Sequence, residues 1–80
     1  MLDELKSAKK VVGVKQLRRA LNAGTVRKAF LAEDADPRLV EPLRELCQSR
    51  DVACEAAPSM KELGRAAGID IGAAAAGILR

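Results

Sequence analysis

The sequence predicts an α/β fold: a three-layer α-β-α sandwich with helices on both faces of a four-stranded, mostly parallel (mixed) sheet. Three observations carry that expectation. Stretches with apolar residues at helical spacing alternate with short apolar or β-branched runs, in the order α-β-α-β-α-β-α-β. Strands separated by helices favour parallel pairing through crossover connections. Finally, 49% of the 80 residues are hydrophobic against 31% charged, which suffices for a compact core and leads us to expect a single domain over residues 1–80. A chain this short buries only about 60% of its unfolded surface.

Each element has a local justification. Residues 2–8 read as a short helix with Leu2 and Leu5 on one side, and "KKVVGV" as a brief strand ending at Gly13. "VKQLRRALNAG" is amphipathic: Val14, Leu17 and Leu21 share a face, while Lys15, Arg18, Arg19 and Asn22 point away. Gly24 supplies its stop. "RKAFLAEDA" is a second strand, with Ala29–Ala32 as an apolar run buried on both faces. "DADP" opens the next helix, with Asp36 as cap and Pro37 at the first helical position. Leu39, Leu43 and Leu46 recur at helical spacing, but Pro42 removes a backbone donor, so the main helix is expected to begin near Glu41.

The second half continues the alternation. "DVACEAA" is a weaker third strand. In "PSMKELGRAAG", Ser59 and Glu62 form a capping box, Met60, Leu63 and Ala67 face inward, and Gly68 ends the helix. "GAAAAGIL" reads as a central strand whose small residues let helices sit close.

Composition excludes several kinds of function. The chain has no His, Tyr or Trp and a single Phe, Phe30, so the usual acid–base and nucleophile pairs cannot be assembled and no enzyme is expected. Rows of aromatic platforms for RNA are excluded for the same reason. Cys47 and Cys54 fit no metal or redox spacing, so packed, inert thiols are expected, with a disulfide or reactive thiol as the alternative; no metal or cofactor is expected. The start "MLDELKSAKK" has no export signal, and the closing apolar run of about a dozen residues falls short of the roughly twenty a membrane helix needs. A cytoplasmic location follows as an expectation.

Charge is unevenly spread around a net +3. Residues 1–30 hold eight basic against two acidic residues, whereas residues 31–57 hold three against seven. That asymmetry suggests a basic face and a polyanionic partner; solvated helix faces are the alternative. The first candidate site is "GVKQLRR", where a strand stops at Gly13 and a helix begins with Lys15 and Gln16, followed one turn later by Arg19. Free N–H groups and the helix dipole there favour phosphate, and Lys15 and Gln16 can address guanine edges. The second is "GIDIG", an Ile-Asp-Ile tip between glycines. It could contact an unstacked base, although on sequence physics alone a core role for its isoleucines is favoured.

"GVKQLRRALNAGTVRKAFLAEDADP" and "CEAAPSMKELGRAAGIDIGAAAAGIL" together resemble the kink-turn RNA-binding ribosomal protein L7Ae family, in its small bacterial YbxF-type branch. The resemblance rests on a Gly-x-Lys-Gln-x-x-Arg helix start, an Ala-x-Asp-x-x-Pro turn and a Leu-Gly-x-Ala-x-Gly loop approach, and it is weakest over residues 1–8. It implies that Gly13, Lys15 and Gln16 read guanine edges in tandem sheared G·A pairs, with Val14 among the RNA-binding positions and Arg19 near phosphate. It implies that Ile69, Asp70, Ile71 and Gly72 enclose flipped-out bases. It implies that Glu33 and Asp34 lie beside the site, orienting the lysine or accepting from RNA. Archaeal and eukaryotic members carry Asn-Glu where this chain has Lys15-Gln16, and Arg-Pro where it has Ile71-Gly72. The implied partner is a kink-turn in ribosomal or regulatory RNA, bound by a monomer away from membranes, with ribosome association as one setting. The alternatives are a protein-interaction module using the acidic helix 37–50, and, more remotely, a small-molecule-binding α/β domain.

Overall fold

A computed structural model describes residues 4–80. They form α1 (Glu4–Ser7), β1 (Lys10–Val12), α2 (Val14–Ala23), β2 (Val26–Ala32), α3 (Pro37–Ser49), β3 (Ala53–Ala57), α4 (Met60–Ala66) and β4 (Ala75–Leu79), the alternation expected. Leu2 of the anticipated first helix lies outside the described residues; Leu5 is fully buried.

The strand order is β1-β4-β2-β3. β1, β2 and β3 run one way and β4 runs against them, antiparallel to both of its neighbours. The mostly parallel expectation therefore holds for strand direction but not for pairing, since among the described residues β2–β3 is the one parallel ladder. The cause lies in how the chain leaves α4. The Ile69 N–H donates to the Gly64 carbonyl and the Ala73 N–H to the Met60 carbonyl, each at 3.0 Å. The segment after α4 thus doubles back along the helix to its first turn and enters the sheet from the end at which β3 left it. "GAAAAGIL" is accordingly divided: its first three residues finish this return, and the strand begins at Ala75.

α2 and α3 pack side by side on one face of the sheet, and α1 and α4 cover the other. Pleating sorts the side chains between them. Gly77, paired with Ala29, faces α2 so closely that a Cβ there would lie 2.6 Å from Leu17 Cδ1. A glycine in the central strand is what lets α2 approach. Lys28 and Phe30 project to the opposite face, where Lys28 Nζ meets Glu4 Oε2 at 2.8 Å and Glu55 Oε1 at 3.0 Å, 5.3 Å from the Phe30 ring centroid. Phe30, Leu31, Leu17, Leu21, Leu43, Leu63 and Ile78 are wholly buried on the two sides of the sheet.

α3 departs from its expectation. It is continuous from Pro37 through Pro42 to Ser49, not delayed to Glu41. Pro42 lies on the exposed side, so the carbonyl that loses its N–H partner there can be served by water. The inward residues are Val40, Leu43 and Cys47, while Leu39 is 48% exposed. Cys47 is buried and Cys54 half-buried, both as free thiols. Burial pushes the Cys47 thiol up to about 11 and raises that of Cys54, disfavouring the reactive thiolate. Among the described residues no helix is long and apolar enough to cross a membrane.

Candidate nucleic-acid interface

One end of the sheet gathers the candidate residues. The Gly13 N–H donates to the Ala75 carbonyl at 2.8 Å, Ala32 N–H to Ala74 at 2.9 Å, and Glu33 N–H to Ala57 at 2.9 Å. The ends of β1, β2 and β3 therefore meet the start of β4, and α2, α3 and α4 all begin here. This is where open α/β sheets bind ligands. Gly72 is only three residues from Ala75, at most about 11 Å of chain, so both sequence candidates share this end.

The three helix starts differ. At α3, Asp36 Oδ1 accepts from the Arg38 N–H at 2.9 Å. The Arg38 guanidinium, 2.9 Å from Asp36 Oδ2, and then this N–H hold the Asp36 carboxyl below its usual range. At α4, Ser59 Oγ accepts from the Glu62 N–H at 3.1 Å, and Asp34 Oδ1 accepts from the Met60 N–H at 2.8 Å. α2 instead begins at Gly13, with no side-chain cap. Its first intrahelical bond runs from Leu17 N–H to the Gly13 carbonyl at 2.9 Å. That leaves the N–H groups of its opening turn to an outside acceptor, at the positive end of the helix dipole.

The backbone at residue 13 calls for glycine. Its φ of 114° and ψ of 154° lie in a region that is essentially glycine-only. The Gln16 carboxamide lies over this residue, so a Cβ there would push that flexible side chain aside. Lys15, Gln16, Arg18 and Arg19 are all exposed, and none of these cations joins a described ion pair. Val14 is half-buried against the core and anchors the turn. Lys28, by contrast, is spent on Glu4 and Glu55. Those two hydrogen bonds raise the Lys28 ammonium and the Lys28 bond lowers the Glu4 carboxyl, so Lys28 adds little to the exposed basic surface.

The acidic turn is tied to α4. Glu33 and Asp34 are exposed at this end, but Asp34 ties β2 to the first turn of α4, and neither residue pairs with Lys15 among the described residues. In the free protein Asp34 positions α4 rather than the lysine.

The "GIDIG" loop divides its isoleucines. Ile69 packs against the core, whereas Ile71 is 75% exposed, beside exposed Asp70 and Gly72. Gly64 holds the loop down: a Cβ on it would collide with the Ile71 carbonyl oxygen and come within 3.1 Å of Gly72 Cα. Between this loop and α4 lies a hollow of about 230 Å³, lined by Lys61, Arg65, Ile69, Asp70, Ile71 and Gly72. Sequence reasoning passed over Lys61 and Arg65. Their four-residue spacing on the helix leading into the loop, which puts both on one face, was the available signal.

Comparison with known proteins places the chain among relatives. The family model described as "Ribosomal protein L7Ae/L30e/S12e/Gadd45 family" matches residues 2–80. The chain is 42% identical over 76 residues to an RNA-binding protein of Geobacillus sp. strain WCH70, covering 95% of this chain and 93% of the relative. It is 41% identical, with the same coverage, to the RNA-binding protein YbxF of Geobacillus stearothermophilus. A solved 15.5 kD RNA-binding protein of Giardia lamblia superposes with a TM-score of 0.90 at 26% identity, over 99% of this chain and 70% of that one. An exposed basic helix start on this α/β scaffold, and a family model that spans the chain from residue 2 to its last residue, lead to one assignment: the protein belongs to the ribosomal protein L7Ae/L30e/S12e/Gadd45 family.

Proposed function

We propose that this protein binds RNA without catalysis and recognises a kink-turn, in ribosomal or regulatory RNA, acting as a cytoplasmic monomer. The observation that carries the reading is the open start of α2: of the three helices beginning at this end, it alone has no side-chain cap, and it carries Lys15, Gln16 and Arg19. The relatives named as RNA-binding proteins support the ligand class.

The chemistry follows from the geometry. Lys15 and Gln16 address the major-groove edges of guanines in sheared G·A pairs, which offer O6 and N7 as acceptors. Uncapped N–H groups of α2 and the Arg19 guanidinium meet phosphates, which a sharp bend in the RNA crowds together. Ile71 supplies an apolar surface to bases that have lost their stacking. Specificity comes from the first set of contacts, and salt-sensitive affinity from the second.

The test is a titration of two duplexes at fixed salt: a kink-turn, and the same strand lengths with the G·A pairs made Watson–Crick. The kink-turn is expected to bind at least tenfold tighter, about 1.4 kcal/mol. Equal affinities would overturn the reading.

A further inference from the structure

Building on the RNA-binding reading, we propose that the end of the sheet opposite the α2 start is a second RNA contact. A row of cations there, one for each strand, holds a phosphate backbone without reading its sequence.

The row follows from the topology. β1, β2 and β3 begin at this end and β4 finishes here. The Leu79 N–H donates to the Lys9 carbonyl at 2.8 Å, and the Arg80 N–H to the Thr25 carbonyl at 2.9 Å. Lys9 before β1, Arg80 after β4, Arg27 in β2 and Arg50 before β3 therefore stand in the order of the strands, β1-β4-β2-β3. Three strand spacings make the row roughly 14 Å wide. Arg27 owes its place to a bulge: Val26 and Lys28 pair with the consecutive residues Leu79 and Ile78, so Arg27 is the extra residue between them. Such bulges re-aim a side chain out of the regular pleat. All four side chains are exposed.

The protein does not balance these charges itself. None of the four joins a described ion pair. Arg50 Nη2 donates to Asn22 Oδ1 and Arg80 Nε to the Val26 carbonyl, each at 3.4 Å, which positions the guanidiniums and leaves their charge in place. Glu4 and Glu55 are drawn to Lys28, and Asp51 is the only acidic side chain within two residues of any of the four. α2 and α3 also end here, each adding about half a negative charge, and the cations remain in excess. Like charges set side by side work against the compact state, and a polyanion relieves them. The basic surplus of residues 1–30 thus splits between two ends of the molecule, with Lys15 and Arg19 at one and Lys9 and Arg27 at the other.

The surface suits RNA better than a membrane or a protein partner. The exposed large apolar side chains among the described residues, Leu39 and Ile71, both lie toward the α2-start end. Membrane and protein surfaces need apolar anchors, whereas a phosphate backbone needs charge. From Arg27 to the end of β2 the strand runs about 20 Å. The row therefore reaches a different stretch of RNA from the one held at α2, and the protein bridges the two.

The test loads the wild-type protein with unlabelled kink-turn, which occupies the α2 start, and then titrates a labelled Watson–Crick duplex at several salt concentrations. The duplex is expected to bind, with a slope of log affinity against log salt of about −3.6, the value for four duplex phosphate contacts. Lys9→Gln combined with Arg27→Gln and Arg50→Gln should make that slope less steep by about 2.7. The melting midpoint of this variant should not fall, and the free variant should still prefer kink-turn to Watson–Crick duplex. Failure of the loaded wild-type protein to bind the duplex, or a slope unmoved in the triple variant, would overturn the row. Binding to vesicles of anionic phospholipid in place of the duplex would overturn it too. If the free wild-type protein separates kink-turn from control while the slope is unmoved, only the row falls. If it does not separate them, the kink-turn reading falls, and the slope comparison alone decides the row.

Discussion

Three helices begin at one end of this sheet; α3 and α4 are closed by neighbouring side chains, while α2 is open. Asp36, Ser59 and Asp34 satisfy the N–H groups of the closed pair, and the cations near α3 are drawn into the closure, since Arg38 pairs with Asp36. At α2 glycine replaces the capping residue and the cations stay unpaired. A cap stabilises its helix by about 1 kcal/mol, so leaving one helix open forgoes local stability and keeps oriented donors free for an outside anion. Lys28 makes the same point elsewhere in the molecule: a cation held by Glu4 and Glu55 supports the fold and has little left for a ligand.

Substitutions can break this contrast. Closing the open start has the largest expected effect. Gly13→Ala should cost about 1–3 kcal/mol of stability by forcing a side chain into a glycine-only conformation, and it should displace Gln16 and depress RNA affinity as well; thermal melts and titration read the two losses. Gly64→Ala works from the loop side, driving a methyl group into the Ile71 carbonyl. About 1–2 kcal/mol should be lost through overpacking, with weaker RNA binding as the loop lifts. At the closed starts the two readouts separate. Ser59→Ala should lower stability by about 1 kcal/mol and leave discrimination between kink-turn and Watson–Crick duplexes in place.

The two isoleucines give a smaller, internal version of the same test. Ile69→Ser should lower the melting midpoint, because that side chain packs on the core. Ile71→Ser should leave the midpoint nearly unchanged and weaken RNA binding. If the two variants exchanged these outcomes, the division of the loop would be wrong.

The smallest expected effect is the pH dependence of the Lys28 cluster. The raised Lys28 ammonium contributes stability that is complete below its ordinary value of 10.5 and is lost as pH climbs through its higher folded value. The lowered Glu4 carboxyl contributes stability that is present above 4.5 and is lost as pH falls through its lower folded value. Thermal midpoints should therefore sag slightly at both extremes, and Lys28→Met should flatten the response.

What could be read in advance follows the range of the interactions. Gly24, the Asp36 cap and the Ser59 cap were legible because each acts within a few residues of itself. Both candidate segments stand out too, as Lys15 and Gln16 open one helix with Arg19 a turn later and "GIDIG" differs from its surroundings. The direction of β4 was not, because it depends on Met60 meeting Ala73 across the returning loop. The inner stripe of α3 was misread because Leu39 and Val40 both fit a helical period, and only the position of the sheet decides between them. Ile69 and Ile71 could not be told apart either: contact of the loop with Gly64 sets which one turns inward. The pairing of Lys28 leaves no local trace, because its partners lie twenty-four and twenty-seven positions away in the chain.

The most direct test of the open-start account is the ratio of kink-turn to Watson–Crick duplex affinity, compared between the wild-type protein and Gln16→Ala at one salt concentration. The account predicts that the ratio collapses by about 1–3 kcal/mol, with kink-turn binding bearing nearly all of the loss. A ratio unchanged by Gln16→Ala would contradict it.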